Sequence, residues 1–163
     1  MAVEEFTIAI QIKFRLADAY FYRGNAYYNL GQYQDAIADY TMTIKFDPDD
    51  TNAYYNRGLA YDVLGQRQNA IADFTKAIAD FTKAIQFDPN AVAYQNRGVF
   101  YEELGQYQNA IADFTKAIRL DPDFASAYYY RGYTYWRITQ KGKFREDIRK
   151  SCSLDSRYCG SYE

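Results

Sequence analysis

Side chains that carry chemistry are distributed unusually in this 163-residue chain. Histidine is absent, which removes the usual general base, the commonest metal ligand and the physiological-pH switch, and excludes Ser-His and Cys-His catalysis. Cys152 and Cys159 are the only cysteines, seven residues apart. One such pair without His cannot assemble a four-ligand zinc site within one chain, and compartment logic favours two reduced thiols in a cytosolic protein. Carboxylates are plentiful, but no pair is singled out by spacing, no Gly-rich phosphate loop occurs, and no nucleophile has a partner base. No catalytic residue, no metal ligand and no cofactor site is therefore expected, and the chain is not read as an enzyme.

The charged pattern that does recur is structural in character. Arg23, Arg57 and Arg97 each precede an Asp by 16 residues, at Asp39, Asp73 and Asp113. If each pair spans the two helices of a hairpin, an interhelical Arg–carboxylate bridge is the expected use, ahead of a phosphate or carboxylate ligand site. For Arg131 the alignment places Lys150 at the partner position, which leaves that Arg freer to meet a ligand. A formal charge of -2, from 19 Lys plus Arg against 21 Asp plus Glu, supplies no general attraction for nucleic acid or anionic lipid. Residues 1–16 contain Glu4, Glu5, Lys13 and Arg15, and no window approaches the roughly 20 apolar residues of a membrane span. A soluble, cytoplasmic protein with neither nucleic-acid nor membrane partners is expected.

The elements that must position these groups come from an internal repeat. Ala-Tyr-x-x-Arg-Gly recurs with Tyr20, Tyr54, Tyr94 and Tyr128 leading the copies, at spacings of 34, 40 and 34. Each copy has a first segment, a Gly-Gln punctuation (Gly31, Gly65, Gly105), a second segment and an Asp-Pro stop at Pro48, Pro89 or Pro122. Gly suits a left-handed helix C-cap and Pro prevents continuation. Ala110, Ile111, Phe114, Ala117 and Ile118 fall at helical spacing on one face. Each unit is thus predicted to be a helix-turn-helix hairpin.

On these residues the chain closely resembles the tetratricopeptide repeat family. The matches are dense: Tyr20, Gly24, Tyr27, Ala36, Tyr40 and Pro48, then Tyr54, Gly58, Tyr61, Ala70 and Phe74, then Tyr94, Gly98, Tyr101, Ala110, Phe114, Ala117 and Pro122. The resemblance implies an all-α fold of tandem hairpins forming a short right-handed α-solenoid, in which small residues let helices approach and aromatics fill the space between them. That accounts for 19 Tyr and 11 Phe. The expected organisation is a capping half-repeat over 1–16, repeats over 17–50, 51–90 and 91–124, and a degraded fourth over 125–163. In the fourth, about three extra residues are expected through Thr139 to Gly142 before Phe144 and Ile148 resume the pattern. Related bacterial-type arrays often end in a Cys-containing helix and turn, which implies a packing role for Cys152 and Cys159.

The family's first helices line a concave groove that holds a peptide or partner helix. Carried over by pattern, the groove positions are Phe21, Asn25 and Tyr28; Tyr55, Asn56, Leu59 and Asp62; Gln95, Asn96, Val99 and Glu102; and Tyr129, Tyr133 and Trp136. Amides suit an extended backbone and Tyr or Trp buries apolar side chains, so recognition of a protein or peptide is the expected function. Tyr129, Tyr133 and Trp136, at i, i+4 and i+7, form the expected hot spot. Some family members grip a chaperone C-terminal carboxylate with two Asn and several basic residues. Asn25 and Asn56 fit the amide positions, but Phe21, Val92 and Asn96 stand where basic residues should.

One feature is peculiar to this chain: Ala72-Asp-Phe-Thr-Lys-Ala-Ile78 is followed at once by the same seven residues, 79–85. Seven residues return to within about 20° of the starting face, so the stripe Phe74, Ile78, Phe81 and Ile85 continues, and one long helix over about 68–87 is predicted, against a looped-out heptad. The extra length of about 10.5 Å gives two outcomes. Either the array splits into two lobes, and the uncovered stripe makes a homodimer or higher oligomer by helix packing or repeat exchange, or the chain stays a monomer with a local bend.

Overall fold

A computed structural model describes residues 2–12 and 15–159. Among them are nine α-helices and a terminal 3-10 turn, and no strand. The helices are α1 (Ala2–Gln11), α2 (Leu16–Asn29), α3 (Tyr33–Phe46), α4 (Thr51–Val63), α5 (Arg67–Phe87), α6 (Ala91–Glu103), α7 (Tyr107–Leu120), α8 (Ala125–Arg137) and α9 (Lys141–Leu154), followed by the turn Ser156–Tyr158. Two compact units divide between Asp80 and Phe81, inside the duplicated heptad. Phe14, where the other copies carry proline, lies outside the described residues.

In the first unit α1 packs on α2, α2 on α3 and α3 on α4. The turn inside each hairpin is a Schellman cap: Gln32 N–H donates to the Tyr27 carbonyl at 2.9 Å and Gly31 N–H to Tyr28 at 3.0 Å. Closing it puts Gly31 at φ +75, where only a residue without Cβ is unstrained. Between hairpins, Asp50 caps α4 by accepting from Asn52 N (2.9 Å) and Ala53 N (3.0 Å), satisfying two of the orphan donors. Close packing then depends on Gly24 and Gly58: an added Cβ would meet the Tyr40 ring at 2.8 Å and the Phe74 ring at 2.5 Å. Tyr40 and Phe74 are accordingly buried, among Ala36, Ala53, Ala60 and Ala70.

The second unit repeats this arrangement with α6, α7, α8 and α9, Asn90 capping α6 through Ala93 N at 2.9 Å and Phe114 filling the space over Gly98. Here the fourth copy differs from its sequence reading. It carries no extra residues: Gln140 N–H bonds to Tyr135 at 2.8 Å and Thr139 N–H to Trp136 at 3.0 Å, the same Schellman cap, with Thr139 at φ +62 in the glycine position. A β-branched residue in that conformation hid the turn signal. In correct register the partner of Arg131 is Asp147, not Lys150.

All four Arg–Asp pairs are then alike. Nε donates to one carboxylate oxygen and Nη2 to the other at 2.7–2.8 Å in Arg23–Asp39, Arg57–Asp73, Arg97–Asp113 and Arg131–Asp147. The third nitrogen, Nη1, reaches the hydroxyl of Thr7, Thr41, Thr82 or Thr115 on the preceding second helix, at 3.0–3.1 Å. Each Arg thus ties its own hairpin together and fastens it to the helix before, a task suited to the planar, multi-donor guanidinium. None of the four is left for a ligand, so Arg131 is corrected from a candidate contact to a fixed structural one.

The predicted long helix is present as α5, 21 residues against 14 in α3 and α7. Six residues of extra spacing arise because the connection after it is one residue shorter, three residues between α5 and α6 against four between α3 and α4. Its apolar stripe is not open. Phe74 and Ile85 are buried, and Ile78 and Phe81 are half-buried, Phe81 lying against Phe100 at 5.6 Å between ring centroids. Within the single chain, neighbours already cover Phe74 and Ile85 of the expected self-association set.

Candidate functional site

Among the described residues the first-helix face of the first unit gathers four of the expected groove residues around one cavity. Asn25 and Tyr28 come from α2, Asn56 and Leu59 from α4, and together with Asn29 and Tyr40 they line a space of about 310 Å³. Its polar centre is the Asn25 carbonyl oxygen, which accepts from the Tyr40 hydroxyl at 2.8 Å and from Asn56 Nδ2 at 2.9 Å. Burial pushes the Tyr40 phenol pKa well above its ordinary value, so that hydroxyl stays protonated and keeps donating. With both donors on its oxygen end, the Asn25 amide is oriented, and its N–H₂ end is the one left to address a ligand. Tyr28 meets Tyr33 edge-on at 5.2 Å, closing one side.

Two other expected groove residues of this unit are half-buried against second-helix rings. The Phe21 ring lies against Tyr40 at 6.0 Å and Tyr55 against Phe74 at 6.1 Å. Asp62 is exposed. Tyr40 and Asn29, which complete the cavity, were not singled out by sequence. Tyr40 reads as a second-helix core residue, and only the glycine-tight approach of α2 carries its hydroxyl through to the groove side.

The corresponding face of the second unit is built differently. Gln95 accepts a hydrogen bond from the Ser126 hydroxyl, so this amide joins α6 to α8. Asn96 and Val99 are half-buried. Glu102 is half-buried too, and its carboxyl is pushed up to about 7, first by burial and then by Glu103, against an opposing pull from Arg137. Arg137 itself donates to the Tyr107 hydroxyl at 2.7 Å and stacks 5.4 Å over that ring. Tyr133 and Trp136 stack at 5.4 Å, and Trp136 remains 50% exposed. Tyr129, the third member of the expected hot spot, is covered by Tyr158 at 5.0 Å, which the sequence reading missed.

Cys152 and Cys159 are joined by a disulfide, in place of the expected two thiols. Compartment logic alone favoured thiols; the seven-residue separation spans the end of α9 and the turn beyond it, which folds Cys159 back onto the helix. Among the described residues no group of three His, Cys, Asp or Glu could hold a metal ion, and no helix is long and apolar enough to cross a membrane.

Hairpins of this register, with alanine and glycine at the close approaches and a bidentate Arg–Asp tie in each, define a helical-hairpin repeat protein. A family model for TPR repeats matches residues 24–65 and 98–138, and a tetratricopeptide repeat model matches residues 52–90. The chain belongs to the tetratricopeptide repeat family. No curated protein sequence matches it. Solved structures share the fold. A crystal structure of MamA is 23% identical over 96% of this chain and 88% of MamA, with a TM-score of 0.60. TTC0263, a thermophilic TPR protein of Thermus thermophilus, is 18% identical over 96% and 87%, at 0.68. PilF of Pseudomonas aeruginosa is 21% identical over 86% and 62%, at 0.65.

Proposed function

We propose that the chain is a protein-interaction scaffold and that the first-helix face of its first unit holds an extended peptide. The observation that supports this is the cavity of about 310 Å³ with an oriented amide at its centre. Amide donors and acceptors satisfy a peptide backbone that would otherwise lose its hydrogen bonds on leaving water, and Leu59 and Tyr28 offer apolar walls for side chains. Among the described residues no cation lines the cavity, so the occupant is an internal segment rather than a C-terminal carboxylate, which would need basic partners. In the second unit the exposed Trp136, stacked on Tyr133, offers a separate aromatic contact. The lengthened helix offers no open stripe, and self-association is not part of this reading.

Selection of random 12-residue peptides by phage display on the purified chain tests it. Enriched peptides should lose at least about tenfold in affinity against Asn25→Ala and keep their affinity against Asp62→Asn, which lies outside the cavity. Peptides that bind the Asn25→Ala protein equally well would refute the cavity as the anchor.

A further inference from the structure

The turn after α9 repeats the turn after α7. Asp121 accepts from Asp123 N through its side chain at 3.0 Å and from Phe124 N through its carbonyl at 3.2 Å; Asp155 does the same for Arg157 N at 2.9 Å and Tyr158 N at 3.0 Å. After Phe124 the chain enters α8, whose buried Ala127 fixes the turn in place. After Tyr158 the tie is covalent instead, Cys159 returning to Cys152 on α9. What that tie holds down is Tyr158, its ring 5.0 Å from Tyr129 on the first-helix face.

We propose that the Cys152–Cys159 disulfide is a redox-operated latch: oxidised, it holds Tyr158 as a lid over Tyr129, and reduction by a dithiol releases the lid and opens the aromatic face of α8. Access favours this, since Cys159 is exposed and Cys152 half-buried. A thiolate of the dithiol attacks Cys159 Sγ, the protein S–S bond breaks, and Cys152 leaves as a thiolate and takes up a proton. The reductant's second thiol then attacks its own sulfur in the mixed disulfide and frees Cys159 as a thiol. The dithiol ends as a cyclic disulfide, having passed two electrons and two protons to the protein. Once released, the turn is held by local contacts: the Asp155–Arg157 pair, the two Asp155 backbone bonds and the Tyr129–Tyr158 ring contact. Loss of the loop constraint raises its open population about 50-fold. The latch itself is independent of the peptide-binding reading; its use as a gate depends on the first-helix face being the binding face.

The test compares the oxidised protein, the same protein in dithiothreitol, and a Cys159→Ser variant. Trypsin should cleave after Arg157 at least about tenfold faster in the last two, and ring-to-ring nuclear Overhauser effects between Tyr129 and Tyr158 should be weaker in them than in the first. A Tyr158→Ala variant with its disulfide intact should leave Tyr129 uncovered without reductant, read as faster labelling of the Tyr129 ring by tetranitromethane. Equal cleavage rates together with Tyr129–Tyr158 contacts that persist in the reduced protein would overturn the latch.

Discussion

Two stretches of α5 have the same sequence and different neighbours. In 72–78, Asp73 takes both carboxylate bonds from Arg57, and Phe74 is 3% exposed beneath Gly58. In 79–85, Asp80 meets Lys76, four residues back on its own helix, while Thr82 binds Arg97 and Phe81 lies on Phe100. A regular second helix does both jobs within one turn: in α3, Asp39 serves Arg23 and Thr41 serves Arg57. In α5 the equivalent groups, Asp73 and Thr82, stand nine residues apart. The duplication thus separates two functions that one heptad normally combines. The first copy closes the first unit and the second copy opens the second. Lys76 of the first copy also lies 5.5 Å over Tyr54, and beyond the copies Phe87, at the helix end where Phe46 stacks on Tyr20, is 90% exposed.

The sharpest way to break this comparison is to make one substitution in each copy. Phe74→Ala should cost about 3–4 kcal/mol, because a fully enclosed ring leaves a cavity, and Phe81→Ala about 1–2 kcal/mol, because its half-buried ring loses one aromatic contact. Urea denaturation of the two variants reads the difference, and equal costs would mean that the copies are interchangeable. Asp73→Asn should cost about 3 kcal/mol, since it leaves the Arg57 guanidinium, 15% exposed, without its charge partner. Asp80→Asn removes an i,i+4 pair that reaches solvent through Lys76, 43% exposed against 16% for Asp80, and should cost under about 1 kcal/mol. Thermal unfolding of both variants at low and moderate salt separates a buried tie from a surface one, because only the second should weaken with salt.

The sequence is most legible where one residue type has one physical use. Gly31, Gly65 and Gly105 announced left-handed caps, the heptad announced a continuous helix, and the 16-residue Arg–Asp interval announced the ties. Reading failed where a different residue took the same backbone role. Thr139 sits in the glycine conformation, and without a glycine there the sequence pattern places the fourth copy three residues out of register and gives Arg131 Lys150 in place of Asp147. The groove was half legible for a related reason. Position on α2 or α4 picks out side chains of the first-helix face, and Asn25, Tyr28, Asn56 and Leu59 among them line one cavity. What a ring on that face packs against is not legible in the same way: Phe21 and Tyr55 meet Tyr40 and Phe74, and Tyr129 meets Tyr158. Those contacts join residues 19 to 29 apart in sequence through packing that no local pattern encodes.

The smallest expected effect compares the two units at one equivalent groove position, Asp62 in the first and Glu102 in the second, each four residues after its helix glycine. Asp62 is exposed, and Asp62→Asn should change stability by less than about 0.5 kcal/mol. Glu102 is held up to about 7 by burial, so the folded chain keeps a proton there that the unfolded chain releases near the ordinary carboxylate value. Between those two pH values the folded state binds more protons than the unfolded one, and stability therefore falls as pH rises through this window and levels off above it. Below it the carboxyl is protonated in both states and the penalty vanishes. Because the group is only half-buried, the penalty should be about 1 kcal/mol rather than the full shift. Glu102→Gln should then raise the melting temperature by a few degrees at about pH 8 and by nothing at about pH 4.5. A gain of the same size at both pH values would mean that shape, not the buried charge, sets the cost at this position.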